Sequence, residues 1–279
     1  MKLKNLNKAA ENIQKSLAEA INYPHLQKES TRKIKNGLDA KESLIRSSKL
    51  INYIHELTKS ELLDYLSINS SNIWRSYPEI NETKPEIKLQ GFIKGKNQDL
   101  MFSHRDLDLN NKELTIEDLD KVINVNIRSQ LSSVAKNIDT LMERTFAEPI
   151  QLRMKYRDLV MGEVYMIPTK EINEQMAKNN KLTFNQDNKG IENAEKLIDY
   201  FIEFSDRKKF KKESLQYHYK YDSVAFFIID LESNPAKIIC EEEDLINFGL
   251  TTEYIEKFKL ISPVGFEERL FTKLSELSG

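Results

Sequence analysis

Asp99 stands in the run QDLMF, an acid at the head of an apolar strand pattern. Further along, the alternation of Val122 to Ile127 runs out into Asn126, Arg128, Ser129 and Gln130, and a long helical pattern begins at once. A strand that delivers polar groups at its carboxyl end, beside a helix start, is a common way to build a site in an α/β protein. The helix adds two glutamates, Glu143 and Glu148. Carboxylate oxygens hold hard cations such as Mg²⁺. Arginine supplies fixed, permanently charged donors for a phosphate. Asp99, Asn126, Arg128, Gln130, Glu143 and Glu148 are therefore the candidate site residues, with Asp99 as the first carboxylate and Glu148 or Glu143 as the second. Glu86 is a further candidate for the second carboxylate.

The elements that must position these groups read as follows. Leu3, Leu6, Ala10, Ile13, Leu17 and Ile21 recur at helical spacing, and Pro24 ends the run. A second helix is expected from Ser30 to Ile54, and a third from Glu61 to Leu66 with Ser60 as its N-cap. Asn69 to Pro85 reads as an irregular connector. Beyond it the period changes to that of strands. Ile87, Leu89, Phe92 and Ile93 form one, Asp99 to Phe102 another, and Val122 to Ile127 the next. A helix is expected to reach about Lys155. Its apolar stripe, Leu131, Val134, Ala135, Ile138, Leu141, Met142 and Phe146, must pack on the sheet. Leu159 to Pro168 and Ser223 to Leu231 are buried strands, separated by a helix at Ile191 to Phe204. This order implies an α/β (α+β) fold with a mixed central sheet flanked by helices. The regions are an N-terminal helical part (1–75), an α/β core (76–240) and a C-terminal helical extension (241–279).

Composition sets limits. Net charge is −2, so any nucleic-acid surface has to come from clustering. Two clusters qualify: Lys94 with Lys96, and Arg207, Lys208 and Lys209 continuing to Lys211 and Lys212. The tyrosine strip Tyr217, Tyr219 and Tyr221 after them reads as half-buried strand. The single Cys240 excludes an intramolecular disulfide framework and a cysteine-based zinc site. With no signal-peptide pattern, it suits a cytoplasmic protein. No run approaches the roughly 18 apolar residues of a membrane span. No GxxxxGK[ST] or GxGxxG motif occurs, so no nucleotide cofactor is expected. His104 is a conceivable general base in a polar loop.

QDLMF, VINVNIRSQ and the run from SQLSSVAKN to ERTFAE together resemble the PD-(D/E)XK nuclease superfamily, and within it the type II restriction endonucleases, over roughly residues 86 to 232. The resemblance implies a restriction-endonuclease-like core, Mg²⁺ as cofactor, double-stranded DNA as substrate and a homodimer matched to palindromic sites. Asp99 stands where the family has its first metal-binding aspartate; the resemblance implies Asp99, Glu148 and Glu143 as candidate metal ligands and Asp99, Asn126, Arg128, Gln130 and Glu148 as candidate catalytic residues. Asn126 and Arg128 stand where the family has Asp/Glu and Lys. A neutral amide and a permanently charged guanidinium there leave an alternative: a non-catalytic DNA- or protein-binding module on a degenerate nuclease fold.

Overall fold

The computed structural model describes residues 1–27, 34–205 and 217–278. Helix α1 (Leu3–Asn22) follows its predicted stripe, burying Leu6, Ala10, Ile13, Leu17 and Ile21. Helix α2 (Gly37–Arg46) is capped by the Asn36 side chain, which accepts from the Asp39 N–H. Helix α3 (Lys49–Asn69) runs unbroken through Ser60, which is therefore no N-cap. The polar stretch there is helical because it is packed. Thr58, Lys59 and Glu61 are buried, and the Lys59 ammonium donates to the carbonyls of Glu79 and Glu82.

The expected connector contains a strand, β1 (Trp74–Tyr77). The strand expected over Ile87 to Ile93 is instead the first arm of a hairpin, β2 (Lys88–Gln90) and β3 (Gly95–Asn97), with Phe92 and Ile93 in its turn. The main sheet continues with β4 (Leu100–His104), β5 (Val122–Ser129), β6 (Val160–Pro168), β7 (Ser223–Asp230) and β8 (Lys237–Ile239). Its order is β1-β4-β5-β6-β7-β8. The pairs β1–β4, β4–β5 and β7–β8 are antiparallel; β5–β6 and β6–β7 are parallel. The expected mixed sheet with helical flanks is thus present.

Parallel strands need crossovers, and helices supply them. Helix α4 (Val134–Arg153) links β5 to β6. The short α5 (Glu174–Lys178) and the longer α6 (Lys189–Phe204) lie between β6 and β7. Helices α7 (Glu242–Phe248), α8 (Thr252–Ile261) and α9 (Phe266–Ser278) close the chain. Alternate strand residues face opposite layers. Ile123, Val125, Ile127, Val164 and Met166 share a core with α1, α3 and α9. Met101, Val122, Met161, Tyr165 and Ile167 share the other with α4, α6 and α8. Gly162 lets α9 come close to β6, since a Cβ there would lie 2.8 Å from the Phe266 ring. Residues 217–222 are turn rather than strand.

Candidate active site

Three polar positions of β5 fall on the α4 side of the sheet. Asn124, Asn126 and Arg128 alternate with Ile123, Val125 and Ile127, so one strand carries apolar groups to one core and polar groups to the other. Asp99, entering β4, accepts the Ile127 N–H on Oδ2 at 2.8 Å. Asn124 donates to the buried Gln98 side chain at 3.0 Å. In parallel register, Asn126 lies beside Glu163 of β6. Glu163 is fully buried.

Helix α4 brings the other half. Glu171 caps its start, accepting from the N–H groups of Ser133 at 3.0 Å and Val134 at 2.8 Å. The buried stripe begins as predicted with Val134, Ile138 and Met142. It then continues through Thr145 and Glu148 rather than Phe146, which is 42% exposed and packs beside Tyr219. The apolar face of the helix turns polar where it passes over Arg128. Pro149, inside the helix, has no N–H for the carbonyl of Thr145 one turn back. The Tyr221 hydroxyl donates to that carbonyl instead, at 3.1 Å, and accepts from Asn126 Nδ2 at 3.3 Å.

Arg128 sits at the centre. Its guanidinium donates to both Glu148 and Glu163, and to Thr145 Oγ1 at 3.4 Å. Lys96, from β3, meets Glu148 Oε1 at 2.5 Å. Two cations and three carboxylates, Lys96, Arg128, Asp99, Glu148 and Glu163, thus form one electrostatic unit. Burial raises the Asp99 carboxyl above its usual range, against the opposing pull of the Ile127 N–H and Arg128. Burial raises Glu163 further, to about 7, with Arg128 opposing and the neighbouring acids reinforcing. Burial pulls the Arg128 guanidinium down, but the facing Glu163, Tyr221 and Glu148 outweigh it and hold it well above its ordinary value. Burial likewise pushes the Tyr221 hydroxyl well up, so it stays protonated and a donor.

Of the residues singled out from sequence, Asp99, Asn126, Arg128, Glu148 and Lys96 come together. Glu143 is exposed on the far side of α4. Gln130 lies past the strand end, its side chain turned to the Ser132 carbonyl. Glu86 is exposed and accepts from Asn97 at 2.9 Å. Lys94 is exposed in the hairpin turn. His104 packs edge-on against Trp74, with ring centroids 4.4 Å apart. Arg207, Lys208 and Lys209 lie outside the described residues. Glu163 escaped the sequence reading. Its signal was present: a lone acid in the otherwise apolar run LVMGEVYMIP.

Comparison with family models, curated proteins and solved structures finds no match. Among the described residues, no three His, Cys, Asp or Glu side chains are already arranged around a metal position. The donor set nonetheless suits a hard cation. Glu163 Oε2 and Asn126 Oδ1 are buried oxygens with no hydrogen-bond partner. Buried oxygens in that state are costly, and a cation or water relieves them. No helix among the described residues is long and apolar enough to cross a membrane.

Proposed function

We propose that this chain is a Mg²⁺-dependent endonuclease of double-stranded DNA, of the type II restriction kind, working as a cytoplasmic homodimer. The observation that carries the reading is the convergence of Asp99, Glu148 and Glu163 on Arg128 across one face of the sheet. The element order supports it: antiparallel β4–β5, helix α4, then parallel β6, with Asp99 entering the first strand. Asn126 lacks the carboxylate that the resemblance places there. Glu163, its neighbour in register, supplies one from the adjacent strand. Lys96 brings an ammonium to the same cluster from the hairpin.

Asp99, Glu148 and Glu163, with the Asn126 amide oxygen, are the groups that would hold the ion. Bound Mg²⁺ supplies charge neutralisation at the phosphate and a more acidic water. Arg128 is a planar fork of donors, a geometry that lysine lacks; its N–H groups face Glu148 and Glu163 and would serve two phosphate oxygens once those acids turn to the ion. Lys96, partly exposed beside Glu148, is placed to pair with a third.

One observation favours a second reading, a DNA-binding module without cleavage. Arg128 lies between Glu148 and Glu163 and Lys96 meets Glu148, so these two acids are matched by two cations without any metal. Unmethylated phage DNA incubated with and without Mg²⁺ and run on a gel separates the two. Discrete fragments only with Mg²⁺, lost in Asp99→Asn and Glu163→Gln, support the nuclease. A retarded but intact band at every Mg²⁺ concentration supports the module. No retardation and no cutting sinks both.

A further inference from the structure

The β2–β3 hairpin turns through residues 91–94, Gly-Phe-Ile-Lys, and presents two large apolar side chains to water: Phe92 is 64% and Ile93 78% exposed. Hairpin turns favour Gly, Asn, Asp and Ser, so this pair is not there to make the turn. Nor is the tip loose. The Phe92 N–H donates to the Gln151 carbonyl at 2.9 Å, and Gln151 Nε2 donates to the Lys94 carbonyl at 3.1 Å. A Cβ at Gly91 would lie 2.8 Å from Gln151 Cγ, so glycine is what lets the hairpin close on α4. Gln151 follows Glu148 within one turn of that helix, and Lys96 of the same hairpin reaches Glu148. The apolar tip is therefore tied to the helix that carries Glu148.

Lysines bracket it. Lys88 and Lys94 are exposed on the hairpin, while Lys96, partly exposed, turns its ammonium to Glu148. An apolar wedge ringed by ammonium groups suits a groove walled by phosphates: the lysines neutralise the backbone while the apolar side chains press on base edges or between base steps. The same charge disfavours self-association through this patch, because a two-fold contact would set the lysines against their own copies.

We propose that Phe92 and Ile93 form a wedge that enters the groove of duplex DNA bound at the carboxylate cluster, with Lys88 and Lys94 on the flanking phosphates. The proposal rests on the nuclease reading and names the element that grips its substrate. Its test uses sheared unmethylated phage DNA as the probe, in Ca²⁺, with binding measured over a range of salt. Phe92→Ser/Ile93→Ser should weaken binding tenfold or more with the salt slope unchanged, since no charge is lost. Lys88→Ala/Lys94→Ala should lower the slope by roughly 2, from about 0.9 for each phosphate contact. Wild-type affinity and slope in both variants would overturn the wedge. Mg²⁺-dependent cutting of the same DNA by the wild type, run alongside, tells that failure from failure of the nuclease reading. If the wild type neither binds nor cuts, the reading falls and the wedge with it. A change in oligomeric mass by light scattering in Phe92→Ser/Ile93→Ser, with DNA affinity kept, would make the tip a self-association surface and overturn the proposal.

Discussion

The Ile127 backbone N–H points at the Asp99 carboxylate across 2.8 Å, tying the head of β4 to the middle of β5. The acid that would bind metal is thus also a structural acceptor. Asp99→Asn keeps an acceptor oxygen for that N–H and sheds a buried charge, so its melting temperature should match or slightly exceed wild type. Asp99→Ala strands the N–H and should cost about 1–3 kcal/mol. Both variants should lose Mg²⁺-dependent cleavage by several orders of magnitude. A calorimetric scan beside a gel assay checks the pair, and an Asn variant that cuts normally removes Asp99 from the site.

Arg128 is the countercharge for two buried acids. Arg128→Ala leaves Glu148 and Glu163 without it and should destabilise by about 3–5 kcal/mol. Removing the charges together, in Arg128→Met/Glu148→Gln/Glu163→Gln, should recover most of that loss while leaving DNA uncut. Urea denaturation of both proteins tests this; equal stability of the two would mean the guanidinium carries no such burden.

Glu163 gives a pH signature. Its carboxyl titrates near 7 when folded, against an ordinary value of 4.5. Across that window the folded chain holds a proton that the unfolded chain has released. Raising the pH therefore favours unfolding, and this contribution is lost between about 4.5 and 7. In metal-free buffer the stability of wild type relative to Glu163→Gln should fall over that interval by on the order of a few kcal/mol. A difference that is flat with pH would show that Arg128 keeps the acid ionised throughout.

Tyr221 completes a helix that proline leaves one bond short. Tyr221→Phe should cost about 1–3 kcal/mol, because the Thr145 carbonyl loses its donor and Asn126 an acceptor. In a Pro149→Ala background the helix regains its own N–H, so the same change should cost less. A double-mutant cycle measures the coupling, and strict additivity would argue against it.

What the sequence made legible followed local periodicity. β6, β7 and α6 are continuous apolar runs or clear helical stripes, and they lie where expected. β1 escaped because four residues hemmed in by serine, asparagine and proline give too short a pattern; its place is set by pairing with β4. The break expected at Ser60 reflects a polar surface reading of residues that are in fact buried. Asp99, Arg128 and Glu148 were visible as types in context. Glu163 was visible as a lone acid in an apolar run, but its partnership with Asn126 comes from parallel strand register, which no spacing along the chain encodes. The departure of α4 from its apolar stripe at Thr145 and Glu148 was the overlooked local clue.

The cluster draws its charges from supports of unequal stiffness. Glu163 belongs to a strand hydrogen-bonded on both sides, and Arg128 to its neighbour, paired with it from Ile123 through Ser129. Displacing either means shearing the sheet. Lys96 sits on a separate two-stranded ribbon, and Glu148 on a helix carrying a proline next door. Any rearrangement that admits a phosphate will therefore be asymmetric. The sheet acts as the anvil, fixing the position of the cluster, and the ribbon and helix are the parts free to give way around whatever is placed on it.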